Sequence, residues 1–138
     1  MIDHLGFNVA DIERSRAFYD RALAPLQIGV VMAVDAAETP DGKAFLGYGK
    51  TADSRDIQAG KPSFWIGEGD RLGNRVHVAF LAAGQAEVDA FYTAALAAGG
   101  TDNGPPGPRP HYHPGYYAAF VLDPDGHNIE AVWHGRPG

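Results

Sequence analysis

The strongest constraint on this chain is internal. Residues 4–24 laid over residues 77–97, an offset of 73, match at nine of 21 positions. His4 meets His77, Phe7 meets Phe80, Ala10 meets Ala83, Ala17-Phe18-Tyr19 meets Ala90-Phe91-Tyr92, and Ala22-Leu23-Ala24 meets Ala95-Leu96-Ala97. Composition alone yields about one or two such matches. The 138 residues therefore read as two tandem modules, about 1–70 and 74–138, within a single domain.

Each module opens with alternation and then changes period, the pattern of a strand leading into a helix. In Ile2 to Val9, residues Leu5, Phe7 and Val9 share one face, and His4, Gly6 and Asn8 share the other. Val76, Val78 and Phe80 repeat the first set, and Arg75, His77 and Ala79 the second. Asp11 is an N-cap for a helix carrying Ser15, Phe18, Tyr19, Ala22, Leu23 and Leu26 on one stripe. Val88, Phe91, Tyr92, Ala95 and Leu96 form the second stripe, which Gly99-Gly100 ends. Ile28 to Val34, Lys43 to Gly49 and Pro62 to Ile66 predict three further strands in the first module. Tyr116 to Leu122 and Asn128 to Trp133 are strands joined by the turn Asp123-Pro124-Asp125-Gly126. The Pro-rich stretch 104–115 lacks ladder donors and is expected at an edge or in a loop, and Lys50 to Lys61 reads as a surface loop. The fold class expected is α+β, from two βαβββ modules.

Cysteine is absent, which removes thiolate catalysis, zinc ribbons and disulfide frameworks and leaves His, Asp and Glu as the strong metal ligands. Seventeen acidic against eleven basic residues give a net charge of -6, a poor match for nucleic acid or anionic lipid. No apolar run approaches the ~18 residues of a membrane span, and no basic leader precedes one. A cytoplasmic location and no nucleic-acid or membrane partner are therefore expected.

Alternation in His127 to Trp133 sets Ile129, Ala131 and Trp133 toward the helices and Glu130 opposite, on the same face as His4 and His77. Two imidazoles and one carboxylate are a divalent-metal set with open positions. A strand histidine is by itself more often a hydrogen-bonded structural residue; the coincidence of three ligand types at equivalent positions of a duplicated unit favours the metal. A competing site is His111-x-His113, which would place both rings on one face if the segment were extended.

These residues resemble the vicinal oxygen chelate superfamily of glyoxalases, extradiol dioxygenases, fosfomycin-modifying transferases and bleomycin-binding proteins. The resemblance spans the whole chain. Its carriers are His4 within Ile2-Asp3-His4-Leu5-Gly6-Phe7, the Ala17-Phe18-Tyr19 helix, His77 within Val76-His77-Val78-Ala79-Phe80, and Asp123-Pro124-Asp125-Gly126-His127-Asn128-Ile129-Glu130. It implies a cupped mixed sheet with the helices outside, and His4, His77 and Glu130 in three of four ligand places. Glyoxalase I carries a carboxylate in the fourth, where this chain has Trp65. Phe120 stands about where the dioxygenases have a tyrosine, and bleomycin-binding members lack metal ligands.

The resemblance implies a divalent-metal-dependent enzyme acting on a small oxygen-chelating substrate by isomerase, lyase or dioxygenase chemistry. Zinc, manganese, iron, nickel and cobalt are not distinguished, and a homodimer is expected. The alternative is a non-catalytic small-molecule binding or sequestration protein. Asn8 and Trp65 are expected to line the cup, with Arg109, His111, His113 and Tyr117 reaching it from the Pro-rich segment and the strand beyond. His113 and Tyr117 are the candidate catalytic groups. For Trp65 a space-filling role is the bland alternative, and for the loop residues incidental exposure.

Overall fold

The computed structural model describes residues 2–70 and 75–135; the expected junction between the modules lies largely outside them. The first module runs β1 (Leu5–Val9), α1 (Ile12–Leu23), β2 (Ile28–Val34), β3 (Phe45–Lys50) and β4 (Phe64–Glu68). The second runs β5 (His77–Leu81), α2 (Gln85–Ala97), two short strands β6 (Thr101–Asp102) and β7 (Gly107–Pro108), then β8 (Tyr117–Leu122) and β9 (Asn128–Trp133). The protein is α+β, and both copies of the repeat start with a strand and a helix. The Pro-rich stretch contributes β7, which pairs only with β8 at the sheet margin. The short β6 carried no alternation that sequence could reveal.

The strands form two mixed sheets, ordered β1-β4-β3-β2 and β5-β9-β8-β6. In each, the first strand runs parallel to the last and lies at an edge. Asp11 caps α1 by accepting the N–H of Arg14 at 3.1 Å, satisfying one of the orphan donors of the first turn. The stripe of α1 buries Phe18, Tyr19, Ala22 and Leu23, and that of α2 buries Val88, Phe91 and Ala95. One apolar core joins both helices to both sheets, containing Val9 and Ile66 from one and Val78, Val121, Ile129 and Ala131 from the other. Phe64 of β4 meets Phe80 of β5 edge to face at 5.2 Å. Gly100, just beyond α2, is required by this packing, since a Cβ there would lie 2.4 Å from Val121 Cγ1 and 2.8 Å from Phe18.

Because the modules meet through their helix-bearing faces, the opposite faces of both sheets turn outward. The helices are outside any cup made from those outward faces, but one chain presents two separate half-surfaces.

The turn between β8 and β9 ties the modules together. Asp123, almost fully buried, accepts the N–H groups of Asp125 at 2.9 Å and His127 at 2.8 Å through Oδ1, and the Tyr19 hydroxyl at 2.5 Å through Oδ2. Asp125 in turn accepts from Ser15 Oγ at 3.4 Å and the Ala10 N–H at 3.3 Å. Burial, reinforced by the Asp123 carboxylate, pushes the Tyr19 phenol well above its ordinary value. This turn therefore fixes where β9 begins, and with it the position of Glu130.

Candidate functional site

Glu130 is the centre of the outward face of the second sheet. Its neighbours Ile129 and Ala131 are in the core, so alternation sends its carboxylate outward, between Ala79 of β5 and Phe120 of β8. Despite that it is only 2% exposed, covered by two side chains that bind its two oxygens. His77 Nε2 lies 3.0 Å from Oε1, and the Tyr116 hydroxyl donates to Oε2. A buried carboxylate without such partners would be costly.

The tautomer of His77 makes this pair informative. Its Nδ1 lies 3.0 Å from the carbonyl oxygen of Asn128, which can only accept, so Nδ1 carries the hydrogen. In the neutral ring Nε2 then presents a lone pair to a carboxylate oxygen, and two acceptors at that distance need a cation between them, a proton or a metal ion. An Nδ1–H held by a backbone carbonyl is the usual support of a metal-ligating histidine. Two ligand atoms each about 2.0–2.2 Å from a zinc-like ion stand roughly 3 Å apart. His77 and Glu130 supply two of the donors that a divalent ion would need.

His4 does not reach it. It precedes β1, is exposed, and its Nδ1 pairs with Asp3 at 2.8 Å. The His4 hydrogen bond, with help from Lys61, holds the Asp3 carboxyl below its ordinary value. Among the described residues no group of three His, Cys, Asp or Glu side chains within one chain could hold a metal. The physical reason is the packing above: β1 and β5 edge different sheets, whose outward faces diverge.

Trp65 is the register equivalent of Glu130. The offset of 73 maps Gly6 onto Ala79; Gly6 pairs with Trp65 as Ala79 pairs with Glu130. Gly47 likewise stands where Phe120 stands. Asn8, on the same outward face of β1, is half-buried beside Gly67.

The loop residues divide. Arg109 lies over the Phe120 ring, 5.5 Å from its centroid, with Nη2 bonded to the Pro105 carbonyl at 2.7 Å; among the described residues it makes no ion pair. His77 stacks near the same Phe120 ring, with centroids 6.2 Å apart, so Arg109 and His77 share one surface. His111 packs on Tyr112 at the exposed tip. The extended geometry required by the His-x-His alternative is not adopted: the chain turns twice, closed by Tyr112 N–H to Arg109 O at 3.0 Å and Tyr116 N–H to His113 O at 3.2 Å. His113 bonds instead through Nε2 to His134 Nδ1 at 2.9 Å, and both rings pack against Tyr116.

Tyr117 faces the helix layer, where its hydroxyl donates to Asp89 at 2.7 Å, so it is not beside the carboxylate. The tyrosine at Glu130 is Tyr116, whose phenol burial and the carboxylate together push upward. A usable signal was parity: Tyr116 is an even number of residues from Phe120, the register partner of Glu130, whereas Tyr117 is not. His134 had no such signal, because it lies just beyond the regular part of β9.

A sequence profile of the Glyoxalase/Bleomycin resistance protein/Dioxygenase superfamily matches residues 1–131. The chain belongs to this superfamily. A solved glyoxalase/bleomycin resistance protein from Albidiferax ferrireducens T118 is 30% identical, with 99% of each chain covered and a TM-score of 0.71. Glyoxalase I from Zea mays shares the fold at 21% identity and a TM-score of 0.66, over 96% of this chain and 45% of the maize chain. A superfamily enzyme from Burkholderia phytofirmans PsJN does so at 19% identity and a TM-score of 0.65, over 96% and 97% of the two chains. None of the curated proteins matches the chain significantly. Among the described residues no helix is long and apolar enough to cross a membrane.

Proposed function

We propose that this superfamily member is a divalent-metal-dependent enzyme acting on a small substrate through neighbouring oxygens, and that its site is completed between two copies of the chain. The observation that carries this is the His77–Glu130 corner, with Nε2 and Oε1 facing each other at 3.0 Å and His77 Nδ1 held by the Asn128 carbonyl. His77 and Glu130 of one copy and His4 of the other would be the ligands. The edge strands β1 and β5, with Leu5, Val76 and Leu81 exposed along or beside them, are the natural junction, since open edges invite pairing. A homodimer joined there has two cups, each made from a first-module face and a second-module face.

A divalent ion so held supplies Lewis-acid polarisation of a substrate oxygen. The chain's own residues do the rest. Tyr116 holds Glu130 through Oε2, leaving Oε1 turned toward His77. Arg109, without an ion pair among the described residues, offers its guanidinium to an anionic end of the substrate. His113 is the candidate for moving a proton, its Nε2 on His134 and its ring on Tyr116. Asn8 and Trp65 line the opposite wall, and His111 contributes at the loop tip. Tyr117, held by Asp89, is left outside this scheme. The sequestration alternative draws support from Trp65 standing where a ligand would be.

Subunit exchange tests the proposal. His4→Ala and Glu130→Ala variants are each expected to lose the metal. Mixed in equal amounts and allowed to exchange, they form heterodimers having one intact cup, so about a quarter of parental metal content returns. Bound metal is measured after desalting. No recovery despite demonstrated heterodimers, or full metal retention by Glu130→Ala alone, refutes it.

A further inference from the structure

The outward face of the first sheet is shaped by glycine. Gly6, Trp65 and Gly47 form one cross-strand row, and Asn8, Gly67 and Phe45 the next. A Cβ on Gly47 would lie 2.9 Å from Cζ2 and Cη2 of the Trp65 indole and 2.8 Å from Pro62. One on Gly67 would lie 2.7 Å from Cε1 of the Phe45 ring, and one on Gly6 2.9 Å from Trp65 Cβ. Carbon atoms do not pack that closely. Side chains ordinarily stand up from a sheet; here the neighbours are reduced to hydrogen, and the indole lies down across β3 and the phenyl ring across β4. Both rings remain partly exposed beside a cleft of about 230 Å³ lined by Gly6, Phe7, Asn8, Phe45, Trp65 and Gly67. Asn8 gives it a polar side; its amide donates a long 3.4 Å bond to the Asp70 carbonyl.

A ring filling space left by a lost ligand has no need of a glycine beneath it, yet Gly47 lies beneath the indole and Gly67 beneath the Phe45 ring. Each ring laid against the sheet presents a flat, polarisable face, and a flat face makes full contact only with a flat partner. A saturated, puckered ring touches it at a few hydrogens, whereas a conjugated ring meets it across its whole face. We infer that this face is a stacking platform for a planar, conjugated small molecule, which lies against Trp65 with a polar edge toward Asn8. This names the substrate class for the cup proposed above and rests on these outward faces being the binding surface. It does not require the metal.

The test uses protein dialysed against chelator and two probes of matched charge and ring connectivity, naphthalene-2-carboxylate and its fully saturated counterpart, decahydronaphthalene-2-carboxylate. Calorimetric titration is expected to show the flat probe binding about tenfold or more tightly than the saturated one. Trp65→Leu, which keeps apolar bulk without a π face, should abolish the preference. Trp65→Phe, the milder change, should retain a reduced one. Equal affinity of the two probes for the parent protein, no measurable binding of either at millimolar concentration, or a preference that survives Trp65→Leu intact would each overturn the inference. Since no metal is present, these outcomes are independent of the subunit-exchange result, and either idea can fail alone.

Discussion

Replacing Asp123 by alanine should loosen the tie between the two modules at a cost comparable to a large core truncation. The carboxylate is buried and accepts three hydrogen bonds, from the N–H groups of Asp125 and His127 and from the Tyr19 hydroxyl. Each buried donor left without an acceptor costs about 1–3 kcal/mol, and the sum is reduced because a buried carboxylate no longer has to be desolvated. A net loss of about 3–5 kcal/mol follows, a large part of the roughly 5–15 kcal/mol that holds a typical domain folded. With about 2.1 cal/mol/K per residue of unfolding entropy over 138 residues, the melting temperature should fall by about 10–17 °C. Asp123→Asn keeps an acceptor for the turn and should lose roughly a third as much. Tyr19→Phe removes only the inter-module bond, and in a double-mutant cycle with Asp123→Ala the pair should couple by about 1–3 kcal/mol. Calorimetric or circular-dichroism melting of the parent and the four variants provides the measurement. A drop below about 3 °C for Asp123→Ala, or additive behaviour of the two changes, would show that the turn is tied down by something other than this carboxylate.

Tyr116→Phe should weaken divalent-metal binding about 10–100-fold by releasing Glu130 Oε2, whereas Tyr117→Phe, whose hydroxyl is on Asp89, should leave it unchanged; metal titration of both variants distinguishes them. Changing His111 and His113 together to alanine should leave metal content near that of the parent, because neither ring approaches His77 or Glu130 in the described contacts; metal loss in this double variant would move the site to the loop. Stability should fall as pH rises above about 10. Burial raises the Tyr19 and Tyr48 phenols, so the folded state holds protons that the unfolded state releases there, a contribution fully present below the unfolded value and lost upward from it. Melting temperatures between pH 8 and 11 check the sign, and Tyr19→Phe should show the shallower decline.

What the sequence determined is whatever repeats with a short period. Breaker residues bounded β2 to the residue, alternation within β9 placed Ile129 and Ala131 inward and Glu130 outward, and helical spacing identified the buried stripes of both helices. Trp65 was legible as the counterpart of Glu130 only through the resemblance to glyoxalase I, because the offset of 73 carries residue 65 past Glu130; the strand register is what makes the two equivalent. Tyr116 is readable by parity, four residues from the Phe120 that pairs with Glu130. What only the tertiary structure decided is which faces meet. Strand pattern says that His4 and His77 lie opposite the apolar side of their strands, but not that the two apolar sides would be buried against each other within one chain, turning the histidines onto divergent surfaces. The pairing of His113 with His134 and the tie from Asp123 to Tyr19 are of the same kind. They join residues 21 and 104 positions apart through irregular segments. A periodic pattern reports the local environment of each residue; it has no term for the side of the molecule on which two distant environments finally lie.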